Sequence, residues 1–215
     1  MTTDRRFIAV EGPIGVGKTT LAKRLAESFG SELLLEGAAD NPFLERFYKN
    51  PRQAALSTQL YFLLQRAQQI QDLRQGELFT PVWVADFLID KDRLFAELTL
   101  DADELALYEQ VYQHLTIDAP RPDLVIYLQA PVSVLSGRIA NRGVDFEQTI
   151  NPDYLAALSN AYMQFFHAYQ AAPLLIVNAE TLNFASSDED YALLLDRVRT
   201  MSGGREYFNP VSLPV

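Results

Sequence analysis

Short apolar runs alternate along this chain with longer stretches of helical periodicity, and that alternation predicts an α/β fold with a parallel sheet. The runs predict strands over 6–11, 32–36, 82–86, 124–129 and 174–178. Phe7-Ile8-Ala9-Val10 and Leu124-Val125-Ile126-Tyr127-Leu128 are apolar at every position, as strands covered on both faces are. The 32–36 run lacks the Val, Ile and aromatic content of the others. Between the strands, apolar residues recur at three and four. Leu21, Ala22, Leu25 and Ala26 predict a helix over 19–29 that stops at Gly30. Leu56, Leu60, Leu63, Ala67 and Ile70 form one stripe of a helix over 53–74, whose glutamines at 65, 68, 69, 71 and 75 mostly decorate the solvated side. A third helix covers 132–141 before Gly143, and a fourth covers 153–170. The fourth sets Tyr154, Leu158, Tyr162, Phe165 and Tyr169 on one face, a stripe that reads as core or subunit interface. Residues 188–190 read as a surface loop leading into a last helix. With no repeat and no long linker, residues 1–215 read as one three-layer domain with about five strands.

Gly12-Pro13-Ile14-Gly15-Val16-Gly17-Lys18-Thr19 fits G-x-x-x-x-G-K-[ST] between a predicted strand and a predicted helix. In such a loop, successive backbone N–H groups from Gly12 through Gly15, Val16 and Gly17 to Thr20 turn toward phosphate oxygens, and the helix dipole points at the same anion. Lys18 reaches the β- and γ-phosphates and the Thr19 hydroxyl holds Mg²⁺. The chemistry expected is phosphoryl transfer from ATP.

Composition narrows the partners. The formal net charge is −10, which argues against polymeric nucleic acid, since such binding depends on Lys and Arg contacts to phosphates. No apolar run approaches the roughly 20 residues of a membrane span. The start, Met-Thr-Thr-Asp-Arg-Arg, shows no signal-peptide pattern. There is no cysteine, which excludes disulfides and thiolate metal sites and fits a cytoplasmic protein. His114 and His167 lack metal-ligand spacing and read as structural or surface residues.

The acceptor side is less explicit. Glu36 ends the second predicted strand, at the carboxyl edge where open α/β sheets bind ligands, and can orient a hydroxyl and take its proton. Arg138 and Arg142 share a helix face just before Gly143, and arginines placed beside a transferring phosphoryl group stabilise the charge on its equatorial oxygens.

Phe7–Leu21 (numbered 7–21), then Glu36, then Asp40-Asn41-Pro42-Phe43-Leu44-Glu45-Arg46-Phe47-Tyr48, resemble the deoxynucleoside kinases, the deoxyadenosine, deoxyguanosine and deoxycytidine kinase group. Segments 58–66 and 138–148 and the tail Gly204-Arg205-Glu206-Tyr207-Phe208-Asn209-Pro210 extend the likeness over nearly the whole chain. The resemblance implies Mg-ATP as donor, a deoxynucleoside 5′-hydroxyl as acceptor, a lid over 138–148 and a homodimer built on helix packing. It makes Glu36 the general base, places Tyr48 at the sugar 3′-hydroxyl with Glu147 as its partner, and sets Gln59 and Arg66 at the base, with a slight lean toward purines. Gln59 and Arg66, seven apart, differ by only about 20° around a helix axis, so both face one pocket with Phe62 between them.

Two features depart from the family pattern. Val144 stands where the lid often carries a further arginine. Asp86 stands where a Mg²⁺-side carboxylate belongs, beside the acceptor, yet Phe87 follows it instead of an arginine; Lys91 or Arg93 could supply that cation. Two other readings stay open: a thymidylate-type monophosphate kinase, for which only Arg46, Lys49 and Arg52 offer acceptor-side cations, and a non-catalytic nucleotide-binding module.

Overall fold

The computed structural model describes residues 7–76, 83–115 and 120–210. Its centre is a parallel sheet of six strands in the order β2-β3-β1-β4-β5-β6. These are β1 (Phe7–Glu11), β2 (Glu32–Leu34), β3 (Trp83–Ala85), β4 (Leu124–Gln129), β5 (Leu174–Asn178) and β6 (Arg205–Phe208). Alternation along each inner strand sends side chains to two separate cores. Ile8 and Val10 of β1, with Leu124, Ile126 and Leu128 of β4, face α1 (Lys18–Phe29), α6 (Val132–Arg142) and α8 (Asp188–Thr200). Ala9, Val125 and Tyr127 face the opposite way, toward α4 (Asp92–Thr99) and α7 (Pro152–Ala168). Three further helices, α2 (Leu44–Lys49), α3 (Pro51–Gly76) and α5 (Ala102–His114), complete the described α-helices.

The expected α/β architecture stands, with corrections that have physical causes. The sheet has six strands, not about five, because β6 joins the edge beside β5. Its sequence, Arg-Glu-Tyr-Phe, is short and half exposed, and carries no apolar run. The second strand ends at Leu34, so Glu36 stands in the loop beyond it. Residues 188–190 are the first turn of α8 and not a loop: Ser187 caps it by accepting the Asp190 N–H, and three acidic residues lie in that turn, where the dipole favours them. Arg6 and Val82, included in the expected strands, lie outside the described residues. The stripe of α7 is core at Leu158, Tyr162 and Tyr169 and half-buried at Tyr154 and Phe165; Tyr162 and the adjacent Phe166 stack on Tyr127 of β4.

Helices α2, α4 and α5 pack around α3, α4 bridging it to the layer that α7 forms on the sheet. Leu63 of α3, Ala96 of α4 and Tyr108 of α5 share one small buried cluster. Together these helices wall off the space above the carboxyl ends of β1, β2 and β3.

Candidate active site

The phosphate loop joins β1 to α1 and is held open by close backbone approaches. At Gly12 (φ 148°), a Cβ would lie 2.5 Å from the Leu128 carbonyl oxygen; at Gly15 (φ 83°) it would lie 2.9 Å from the Leu135 carbonyl oxygen of α6. Neither position admits a larger residue without moving backbone. The Lys18 ammonium donates to the Gly12 carbonyl at 2.8 Å. The Thr19 hydroxyl donates to Asp86 Oδ2 at 2.5 Å, and Asp86 Oδ1 accepts the Glu36 backbone N–H at 2.7 Å. One buried carboxylate therefore joins the phosphate loop to the loop that carries Glu36.

Strand parity explains the next link. Glu11 ends β1 on the same face as Ala9, so its carboxylate enters the space beneath α7, where it is fully buried. There it accepts from the Leu88 N–H at 2.6 Å, the Gly12 N–H at 3.0 Å and the Tyr162 hydroxyl at 3.0 Å. Lys91, 1% exposed, lies 3.1 Å from Glu11 Oε1 and 3.0 Å from Glu36 Oε1. Arg66 of α3 bonds Glu36 with one terminal nitrogen and Asp92 with the other. The charges alternate in sign from Glu11 through Lys91, Glu36 and Arg66 to Asp92, each buried or nearly so, as buried ions must be to persist.

These neighbours set the electrostatics. Burial works against the ionised form of Glu36, but Lys91, then Arg66 and Lys18, outweigh it and hold the carboxyl well below the usual carboxylate range. Burial, reinforced by Lys91, lowers Lys18, while Glu11, Glu36 and Asp86 oppose the shift. Tyr48 is pushed up by burial and by Tyr154, Glu147 and Glu36, so its hydroxyl keeps its proton and can donate.

Of the residues singled out from the sequence, Lys18, Thr19, Glu36, Tyr48, Gln59, Phe62, Arg66, Asp86, Arg142 and Glu147 line one cavity of about 270 Å³. Tyr48 stacks on Phe146, and Glu147 takes the Arg142 guanidinium. Gln59 donates to the Thr99 hydroxyl at 3.3 Å. Arg138 is not in that cavity. It donates to the Val16 carbonyl at 3.3 Å and the Ala179 carbonyl at 2.7 Å, and lines a second cavity of about 500 Å³ with Gly15, Val16, Gly17, Thr20 and the 182–186 loop. Between the two cations left open by the sequence, Lys91 lies in the cavity wall, whereas Arg93 is an exposed partner of Glu97 and Glu109. Val144 adds no cation to either cavity. Sequence reading missed Glu11, Asp92 and the 182–186 loop. Only Glu11 carried a signal: it is a charged residue ending an otherwise apolar strand.

The family model for "Deoxynucleoside kinase" matches residues 8–202. The chain belongs to the deoxynucleoside kinase family. It is 36% identical over 204 residues to deoxyguanosine kinase of Bacillus subtilis, covering 91% of this chain and 97% of that protein. It is 31% identical to deoxyadenosine kinase of Lactobacillus acidophilus, covering 85% and 89%. Among solved structures, deoxyadenosine kinase from M. mycoides with bound dATP superposes with a TM-score of 0.78 at 24% identity, over 91% of this chain and all of that one, a likeness of fold. The enzyme is thus an ATP-dependent deoxynucleoside kinase, and the two cavities flank its phosphate loop.

Arg66→Met leaves Asp92, 2% exposed, as an unpaired buried carboxylate. The expected cost is about 3–5 kcal/mol, seen as a lower urea midpoint with an unchanged slope. A loss under about 1 kcal/mol would mean the pair does not tie α3 to α4.

Proposed function

We propose that this kinase phosphorylates the 5′-hydroxyl of a purine deoxynucleoside with Mg-ATP, within one unit whose lid is the 138–148 segment. The observation that carries this reading is that Glu36 shares one cavity with Lys18 and Thr19 at one end and Gln59, Phe62 and Arg66 at the other. The base lies on Phe62, where the Gln59 amide offers donor and acceptor together. The Tyr48 hydroxyl and Glu147 hold the sugar 3′-hydroxyl. This directs the 5′-oxygen toward Glu36 and the γ-phosphorus held by Lys18 and the loop amides. The 5′-oxygen forms a bond to phosphorus as the bond from phosphorus to the β,γ-bridging oxygen breaks. ADP departs with that electron pair, and the hydroxyl proton passes to Glu36. Arg142 lies beside the transferred group. Arg138 acts from the donor side, where its guanidinium braces the loop.

Thr19 and Asp86, joined by a hydrogen bond, are the hard oxygen donors that would hold a Mg²⁺ whose other ligands come from phosphate oxygens and water. Among the described residues no cluster of three or more His, Cys, Asp or Glu side chains could cage a metal alone. When bound, the ion would neutralise phosphate charge. The purine preference draws on the deoxyguanosine and deoxyadenosine kinases among the relatives. Arg46, Lys49 and Arg52 are exposed and outside the acceptor cavity, which disfavours a monophosphate acceptor. No described helix is long and apolar enough to cross a membrane, and the cytoplasm is the proposed location.

The proposed homodimer uses the outer face of α3 and α5, where Leu64 and Leu107 are 52% and 46% exposed. Sedimentation should give a dimer that Leu64→Glu weakens; a wild-type monomer at micromolar concentration would rule this face out.

ATP-dependent turnover across the four deoxynucleosides, their ribose counterparts and their monophosphates should be fastest on a purine deoxynucleoside and vanish in Lys18→Ala. Turnover on monophosphates alone would discard the roles given to Glu36 and Tyr48. Glu36→Gln should lower kcat by about 10²-fold or more with ATP affinity unchanged; near-normal kcat would remove Glu36 from proton transfer.

A further inference from the structure

We propose that Lys91 is the acceptor-side cation of phosphoryl transfer, holding the Glu36 carboxylate in its reactive position and giving its remaining N–H to the transferring phosphoryl group. This rests on the reading of Glu36 as the acceptor carboxylate. The position next to Asp86 cannot supply a cation: Phe87 is 3% exposed and packs with Ile70, Ala85 and Ile89. The chain instead makes a 3₁₀ turn over Ile89–Lys91, and Glu11 fixes that turn twice, by accepting the Leu88 N–H at 2.6 Å and by facing the Lys91 ammonium at 3.1 Å.

An ammonium has three protons to donate. Glu11 and Glu36 take two of those directions, and Lys91 lines the cavity that also holds Lys18 and Thr19. A scaffold role alone does not require an ammonium at this position. Lysine is strongly hydrated and costly to bury, and a buried ion pair can often be replaced by apolar residues without loss of stability. Charge balance supplies the reason for an ammonium here. Glu36, Asp86 and Glu147 line this space and Glu11 and Asp92 are ion-paired at its wall, with Lys18, Lys91, Arg66 and Arg142 as the cations against them. Arg66 is already shared between Glu36 and Asp92. Without Lys91, the transferring phosphoryl group would close on Glu36 with one fewer opposing charge, a repulsion that grows as the 5′-oxygen and phosphorus approach in the transition state.

The test uses the full chain. Lys91→Met should lower kcat by about 10²-fold or more while the nucleoside KM and the affinity for a non-hydrolysable ATP analogue change by less than about threefold. Arg93→Ala should match wild type. In Lys91→Ala, n-propylammonium should restore turnover and n-propanol, similar in size but neutral, should not. A Lys91→Met kcat within about threefold of wild type, a loss confined to KM, equal recovery with both additives, or recovery with neither would overturn the proposal. If Lys91→Met does not fold, Glu11→Gln/Lys91→Met removes both charges and is read in the same way. Wild-type protein inactive on every nucleoside would instead overturn the reading of Glu36, a result these variants cannot mimic.

Discussion

Five side chains of alternating charge lie in a row above the carboxyl ends of β1 and β3, and the cost of burying each is offset by the neighbours it pairs with. Glu11, Lys91, Glu36, Arg66 and Asp92 come from a strand end, a 3₁₀ turn, a loop, a long helix and the first residue of a short helix. Removing any inner member would strand an uncompensated charge away from water, which is far more costly than the small net gain of pairing. The row therefore fixes the relative placement of five segments that hydrophobic packing alone would leave adjustable. The sheet and its two cores supply the rigid platform, and the row determines where the acceptor wall stands on it.

The same constraint accounts for the irregular stretch after β3. A regular strand-to-helix crossover would carry the chain straight away from the sheet edge. Here Glu11 holds the Leu88 N–H, Leu88 accepts the Lys91 N–H, and Asp92 opens α4 against Arg66. These contacts turn the segment back over the site before α4 begins. That turn sets α4 against α3 and completes the helical wall around the cavity that holds Glu36.

Legibility from sequence divides along this line. The phosphate loop, the inner strands and the helices that flank them were readable because each carries a strong local signature: glycines at fixed spacing, apolar runs, or a three-and-four period. Gln59, Phe62 and Arg66 share a cavity as their helical spacing implied. Edge strand β6 was not readable, since an edge strand facing solvent needs no apolar run. Nor could spacing choose between Lys91 and Arg93, because the choice depends on a carboxylate 80 residues earlier in the chain. Asp92 was invisible for the same reason. As one of four charged residues in Asp90-Lys91-Asp92-Arg93, it looks like solvated surface until Arg66 is placed beside it.

Asp86 offers a different kind of consequence. Its two oxygens hold the Thr19 hydroxyl and the Glu36 amide, so the phosphate loop and the Glu36 loop are joined through a single planar, covalently rigid group. Loops breathe and helices slide, but the separation between two oxygens on one carbon is fixed by bonding. The Thr19 hydroxyl and the Glu36 amide are thus spaced by one rigid carboxylate and two hydrogen bonds, a far shorter linkage than the chain path between their loops.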